Sequence, residues 1–150
     1  MTKNLEKFDE AIIEGKATWW QMELPSGDVL FGDAKAKMLG YPEDNFKSYN
    51  DFTNIVHPED HDKAMGAMQE HLDGKKELYE VTYRIRHKNG EYIKFYDCGK
   101  ITNKEGKNIT VMGFVLKIEE DADIDEKKSV FKDLIISGSP SVVDLFARIK

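Results

Sequence analysis

His57, Asp60 and His61 stand at spacing i, i+3, i+4 in "HPEDHDKAMGAMQEHLDG", the stretch from His57 to Gly74. On a helix these positions are neighbours, and two imidazoles with a carboxylate have the chemistry of a divalent-metal site. The same residues also build a helix start. Pro58 suits a first turn, where a missing N–H costs little. Glu59, Asp60 and Asp62 complement the positive end of the helix dipole. Ala64, Met65, Met68 and Leu72 then form one apolar stripe, and Gly74 supplies a stop. His71 and His87 lie too far along the chain to complete a ligand set. His71, one residue off the stripe, reads as an exposed helical histidine. The expectation is a helix and no metal site.

Other chemistry lacks its motifs. No serine sits in a nucleophile elbow, and no glycine-rich phosphate loop is present. Proton transfer in an enclosed interior would need an inward ionisable group, and Asp97 is the one candidate by strand parity. No catalytic residue is assigned, and the chain is not expected to be an enzyme.

The 150 residues fit one domain. A net charge of −6 argues against binding to nucleic acid or anionic membranes, which need a cationic footprint. No stretch reaches the length of a membrane span, and the charged N-terminus lacks a signal core. The single Cys98 excludes an internal disulfide and suits a reducing compartment. A cytoplasmic location is expected.

The elements follow from periodicity. Leu5, Phe8, Ile12 and Ile13 are spaced as a short helix that Gly15 ends. "TWWQMELPSGDVLFGD" reads strand, turn, strand, with Trp20, Met22 and Leu24 on one face and Trp19, Gln21 and Glu23 on the other. Asp33 is placed to cap the helix "AKAKMLG". Ser48 and Asp51 are placed as a capping box, with Phe52, Ile55 and Val56 facing inward. After the His57–Gly74 helix come three strands. Tyr79, Val81, Tyr83 and Ile85 alternate with Glu80, Thr82, Arg84 and Arg86. Ile93 and Phe95 alternate with Tyr92, Lys94 and Tyr96. Val111, Gly113 and Val115 oppose Met112, Phe114 and Leu116, a strand apolar on both faces. Ile124, Phe131, Leu134 and Ile135 give a weaker helical stripe beyond. The class is α+β: a five-stranded antiparallel sheet with short helices on one face, plus N- and C-terminal helical extensions.

These pieces, in this order, resemble the PAS domain, in particular the tryptophan-containing subtype of bacterial and archaeal sensor proteins. "TWWQMEL" is similar to that family's opening strand, "KMLGYPED" to its "LLGY" helix end and "IVHPED" to its "HPDD" junction. "YEVTYRIRHKNGEYIKF" is similar to its central hairpin, and "VMGFVLKIEE" to its closing strand. The likeness covers residues 17–119 and divides the chain into an N-terminal flanking helix (1–16), a sensory domain (17–119) and a C-terminal helical extension (120–150). Two departures stand out. The family's closing Asp-Ile-Thr is Lys117-Ile118-Glu119, for which an acid such as Glu23 is a candidate partner, and the usual hairpin tryptophan is Phe95.

The resemblance implies a sensory, signal-transducing module that binds a small ligand or partner in its interior. The ligand-facing residues would be Met22, Phe52, Ile55, Met68, Leu72, Tyr83, Ile85, Phe95 and Val115. A filled core with no ligand stands beside that reading, and a ligand-free dimerisation adaptor is the rival function. Haem, held in some relatives by a histidine on the long helix, is disfavoured by the Ala-Met-Leu stripe. A flavin adduct is disfavoured because no cysteine stands in "NDFTNIVHPED" and Cys98 belongs to the outer face; a non-covalent flavin stacked on Trp20 and its aromatic neighbours stays open beside the reading of those rings as plain core. Trp19, Tyr92, Tyr96, Met112, Phe114 and Leu116 would leave that outer face too apolar for water. The Leu5–Ile13 helix could cover that face in cis, or a second copy could. Members of the family often dimerise through these elements, so the resemblance implies a homodimer interface of Leu5, Phe8 and Ile12 with Trp19, Phe114 and Leu116. The expected partner is an output domain or kinase, in cis or in trans, as in two-component signalling.

Overall fold

The computed structural model describes residue 11, residues 14–119 and residues 124–136. The order is β1 (Ala17–Leu24), β2 (Val29–Phe31), α1 (Asp33–Leu39), a 3-10 turn (Glu43–Asn45), α2 (Tyr49–Thr53) and α3 (Pro58–Leu72). Then come β3 (Tyr79–Arg86), β4 (Tyr92–Glu105), β5 (Asn108–Lys117) and α4 (Ile124–Ile136). The strands make one antiparallel sheet in the order β2-β1-β5-β4-β3. The chain thus closes its sheet by setting the last strand beside the first, with Trp19 opposite Phe114 and Trp20 opposite Gly113. Thr102 is an extra residue in β4, between Ile101 paired with Val111 and Asn103 paired with Thr110. Such a bulge bends its strand locally.

Strand alternation divides the core in two. On the inner face, Trp20, Met22, Tyr83, Ile85, Phe95 and Val115 pack against α1, α2 and α3. On the outer face, Tyr96, Cys98, Phe114 and Leu116 pack against Val130, Phe131, Leu134 and Ile135 of α4, with Ala11 at the edge. The Phe114 and Phe131 rings meet edge to face at 5.9 Å. The weak stripe read in the sequence is therefore the lid of the outer face. This corrects the interface assigned to Phe114 and Leu116, each 1% exposed: the chain's own helix covers them. Trp19 is half-buried against the same cluster, whereas Leu5, Phe8 and Ile12 lie outside the described residues.

The short helices begin and end for local reasons. α2 carries the expected capping box, Asp51 Oδ2 accepting the Ser48 backbone N–H at 3.0 Å and that of Lys47 at 2.9 Å. α1 departs from expectation. Gly32, not Asp33, is its N-cap, and no side chain caps it. Asp33 sits inside the first turn, where its charge complements the dipole. Gly40 ends α1 at φ 78°, a conformation in which glycine avoids the Cβ penalty.

The His57–Asp60–His61 trio is split three ways. His57 is the N-cap of α3, its Nδ1 accepting the Glu59 backbone N–H at 3.0 Å. His61 is turned outward beside Asp62. Asp60 is buried and receives Arg84 of β3: the backbone N–H and Nε both at 2.8 Å on Oδ2, and Nη2 at 3.0 Å on Oδ1. His71 is not exposed. It is buried at the other end of α3, with Nδ1 2.9 Å from the Lys76 carbonyl and Nε2 accepting the Ile101 backbone N–H at 3.0 Å. The Nδ1–H tautomer satisfies both bonds. Helix α3 is thus fastened at its start to β3 and at its end to β4, beside the Thr102 bulge.

Lys117 finds its acid in Glu119, at 3.8 Å, rather than in Glu23. Glu119 also pairs with Lys16 at 2.8 Å, and Lys16 accepts the Lys117 backbone N–H at 2.7 Å on its carbonyl. The residues entering and leaving the sheet are therefore joined directly. Glu23 instead accepts the Thr110 hydroxyl at 2.8 Å.

The hydrogen bonds from Arg84 hold the Asp60 carboxyl far below the ordinary carboxylate range. A depressed folded-state value stabilises fully above the unfolded one and is lost as pH falls through the folded one. Asp60→Asn is expected to lower the melting temperature at neutral pH. That deficit should disappear in strong acid, below the ordinary aspartate range, as denaturation followed from neutral to acid pH would read directly.

Candidate functional site

Between the inner face of the sheet and the short helices lies a cavity of about 60 Å³. By volume it holds a few water molecules. Its floor is Tyr79, Tyr83 and Ile85 of β3, Asp97 of β4, and Trp20 and Met22 of β1. Its roof is Lys35 of α1, Tyr49, Phe52 and Thr53 of α2, and Ala64, Met65 and Met68 of α3. Val29, Leu30 and Phe31 of β2 close the side, and Leu30 is 59% exposed, so the cavity meets solvent there.

Of the residues expected to face a ligand, Met22, Phe52, Met68, Tyr83 and Ile85 line this cavity. Phe95 and Val115 are wholly buried in the same cluster but stand behind the wall. Ile55 and Leu72 pack against the cluster's margin and do not reach the space. Two residues of the wall with charge-bearing side chains lie outside that set. Strand parity marks Asp97 only as a proton-transfer candidate, and no pattern in the sequence assigns Lys35 a role. Its signal is faint but present: Lys35 and Leu39 are i, i+4, so the lysine shares the buried stripe of α1.

Asp97 is 5% exposed and fully engaged. Trp20 Nε1 donates to Oδ1 at 2.6 Å and the Tyr83 hydroxyl to Oδ2 at 2.9 Å, with the Tyr79 hydroxyl as a weaker third donor. Burial lifts the carboxyl above its ordinary range, while Lys35 and these donors oppose the lift. Trp20 reaches Asp97 by crossing β5, and two glycines permit it. Gly99 and Gly113 face each other across β4 and β5. A Cβ on Gly113 would stand 2.6 Å from the Trp20 ring, and one on Gly99 would stand 2.8 Å away. The indole lies where a side chain would otherwise stand.

Lys35 is 6% exposed, and its ammonium lies 3.9 Å from the centre of the Phe52 ring. Among the described residues it has no hydrogen-bond or ion-pair partner, and Asp97 acts on it only through space. Desolvation brings its pKa down to about 8, against an ordinary 10.5. The Phe52 face offsets part of that cost, by about 2 kcal/mol in a dry site. Phe52 is itself held flat on Phe46, with ring centres 4.2 Å apart.

Among the described residues, none that lines the cavity is a histidine or a cysteine. Cys98 points to the outer face, where burial pushes its thiol up to about 12. Neither an imidazole ligand for haem nor a thiol for a flavin adduct lines the space. Its volume is also well short of the roughly 300–1,000 Å³ typical of sites for larger organic ligands. Among the described residues, no cluster of three or more histidine, cysteine or acidic side chains suits a metal ion.

Two stability measurements probe this arrangement. Gly113→Ala is expected to displace Trp20 and cost about 1–3 kcal/mol, with a change in tryptophan emission that a surface substitution would not cause. For Lys35 the sign is unusual. Between about 8 and 10.5 the unfolded chain holds a proton on Lys35 that the folded chain does not, so stability rises with pH across that window. Lys35→Met should therefore be more stable than the native chain below pH 8. The advantage should shrink by on the order of 3 kcal/mol as pH climbs through the window, measurable by denaturant titration.

Comparison with known proteins places this geometry. The PAS fold family's sequence model matches residues 29–115. The methyl sulfide methyltransferase-associated sensor of Methanosarcina acetivorans is 26% identical over 110 residues. That match takes in 71% of this chain and only 11% of that protein's length. Among solved structures, the N-terminal domain of a diguanylate cyclase with PAS/PAC sensor from Marinobacter aquaeolei superposes with a TM-score of 0.61 at 23% identity, covering 68% of this chain and 94% of that one. A sensory box histidine kinase/response regulator structure from Burkholderia thailandensis gives 0.60 at 19% identity, covering 95% and 99%. Sheet order, helix placement and the family match agree: the chain belongs to the PAS-fold family.

Proposed function

We propose that this chain is the sensing module of a signalling protein, in which a small molecule in the inner cavity biases the packing of α4 on the opposite face of the sheet. One observation carries the reading: the same strand serves both faces. Asp97 of β4 points into the cavity, while its neighbours Tyr96 and Cys98 point outward into the α4 cluster. α4 is also tied to that strand pair by polar contacts. Glu80 of β3 accepts the Tyr96 hydroxyl at 2.5 Å and pairs with Lys132 of α4 at 3.2 Å. A change in how Asp97 is held therefore reaches α4 through one backbone segment. Differential affinity of a few kcal/mol suffices to shift such a population.

In this reading residues 17–119 sense, and the flanks 1–16 and 120–150 pass the state to an output domain or kinase, in cis or in trans. The sensor names carried by its relatives support the direction of this proposal. Because α4 takes up Phe114 and Leu116, a pairing of two copies would rest on Leu5, Phe8, Ile12 and Trp19. Among the described residues, no helix is long and apolar enough to cross a membrane.

Ala64→Leu projects a larger side chain into the cavity from α3 and imitates an occupant. Hydrogen exchange on the full chain is expected to show altered protection in residues 124–136 as well as around the cavity. Unchanged exchange in 124–136 would sink the relay. Sedimentation at two protein concentrations tests the pairing, with a two-copy mass expected. A purified protein that is dimeric, admits no small molecule and has an unresponsive α4 would be the ligand-free adaptor instead.

A further inference from the structure

We propose that the cavity is a receptor site for a small monocarboxylate, with Lys35 as the residue that binds its carboxylate group. The inference rests on the reading of the cavity as a ligand site and goes beyond it to the ligand's chemistry.

Lys35 is more than nine-tenths buried, and its ammonium has three N–H donors. Among the described residues none of them meets an acceptor, and the ammonium lies over the Phe52 ring. Among the described residues, the wall's other side-chain donors are engaged. Trp20 and Tyr83 donate to Asp97 and occupy both of its oxygens. The Tyr49 hydroxyl is turned to Met65 Sδ at 2.8 Å, and the Thr53 hydroxyl to the Asn50 carbonyl at 3.3 Å. Among the described residues the wall therefore offers an occupant one free cationic donor, Lys35. A buried cation without a bonded partner lowers stability and would be replaced by an apolar side chain at no loss to the fold. Its presence is explained if the missing acceptor arrives with the ligand.

Three features define that ligand. Its polar end must accept hydrogen bonds, and a negative charge gains most from an ammonium in a dry site. The rest must be apolar, because Met22, Phe52, Val56, Met68 and Ile85 form the surrounding surface. Its size must match about 60 Å³, which restricts it to a short-chain acid of a few carbons. The titratable groups in the wall besides Lys35 are Asp97 of β4, Tyr79 and Tyr83 of β3 and Tyr49 of α2. Burial lifts the Asp97 carboxyl above its ordinary range, and a bound anion beside it acts in the same direction.

The test uses the full chain and three probes of one shape: propionate, propionamide and propylamine, titrated by calorimetry and by backbone amide NMR. Propionate is expected to bind, to shift the amides around Lys35 and Asp97, and to exceed both analogues by roughly tenfold or more. Lys35→Met should keep the fold, with a melting temperature at or above the native one, and lose propionate affinity by a similar factor. Equal binding of propionate and propionamide, or undiminished binding to Lys35→Met, overturns the assignment. If propionamide enters and propionate does not, the carboxylate inference fails and the ligand-site reading survives. If no probe perturbs the cavity amides, both fail.

Discussion

A carboxylate in a carbon-lined interior must be surrounded by donors, and Asp97 sets that demand at the centre of this sheet. Leaving one partner out would cost about 1–3 kcal/mol, so the donors must come from wherever the topology can supply them. Tyr83 and Tyr79 come from the adjacent strand β3. Trp20 comes from β1, two strands away, and can reach only because Gly99 and Gly113 leave the intervening surface bare. One buried charge thus ties β1, β3 and β4 together across β5 and fixes which strands must be neighbours. It also fixes the electrical character of the cavity, since the nearby Lys35 is held by Asp97's field but not by a bond.

Much of this fold was legible in the sequence where a periodic pattern carried it. Alternation along Tyr79–Arg86 and Asn108–Lys117 gave both faces of the strands, and Pro58 with its acidic turn marked the start of α3. The capping box at Ser48 and Asp51 needs only local geometry, and it was readable for that reason. Tertiary pairing was harder to see. Asp60 looks like a helix-dipole acid, and its ion pair with Arg84 depends on a strand 24 residues away. His71 looks like a surface residue of an amphipathic helix until the Thr102 bulge brings Ile101 to its ring.

The candidate site shows the same division. Five of the nine residues expected to face a ligand do line the cavity, because parity and helical stripes place side chains on a face. Parity cannot tell a wall from the layer behind it, and Phe95 and Val115 fall in that layer. Lys35 is hard to read from sequence because charge is usually a mark of solvent, and lysine is almost never fully buried. Likewise, the weak stripe of α4 did not reveal that this helix would shield Phe114 and Leu116.

The two fastenings of α3 have a mechanical corollary. With Asp60 clamped to Arg84 at one end and His71 latched to Ile101 at the other, the longest helix is a beam pinned at both supports. It cannot tilt away from the sheet without breaking one of them. Expansion or contraction of the enclosed space is therefore taken up at the side with fewer ties, where the three-residue strand β2 and the single-turn α2 form the rim around Leu30. Compliance in this molecule is lopsided: a yielding doorway admits an occupant, and a pinned rear frame of α3, β3 and β4 keeps Asp97 and its neighbours Tyr96 and Cys98 in fixed relation across the sheet.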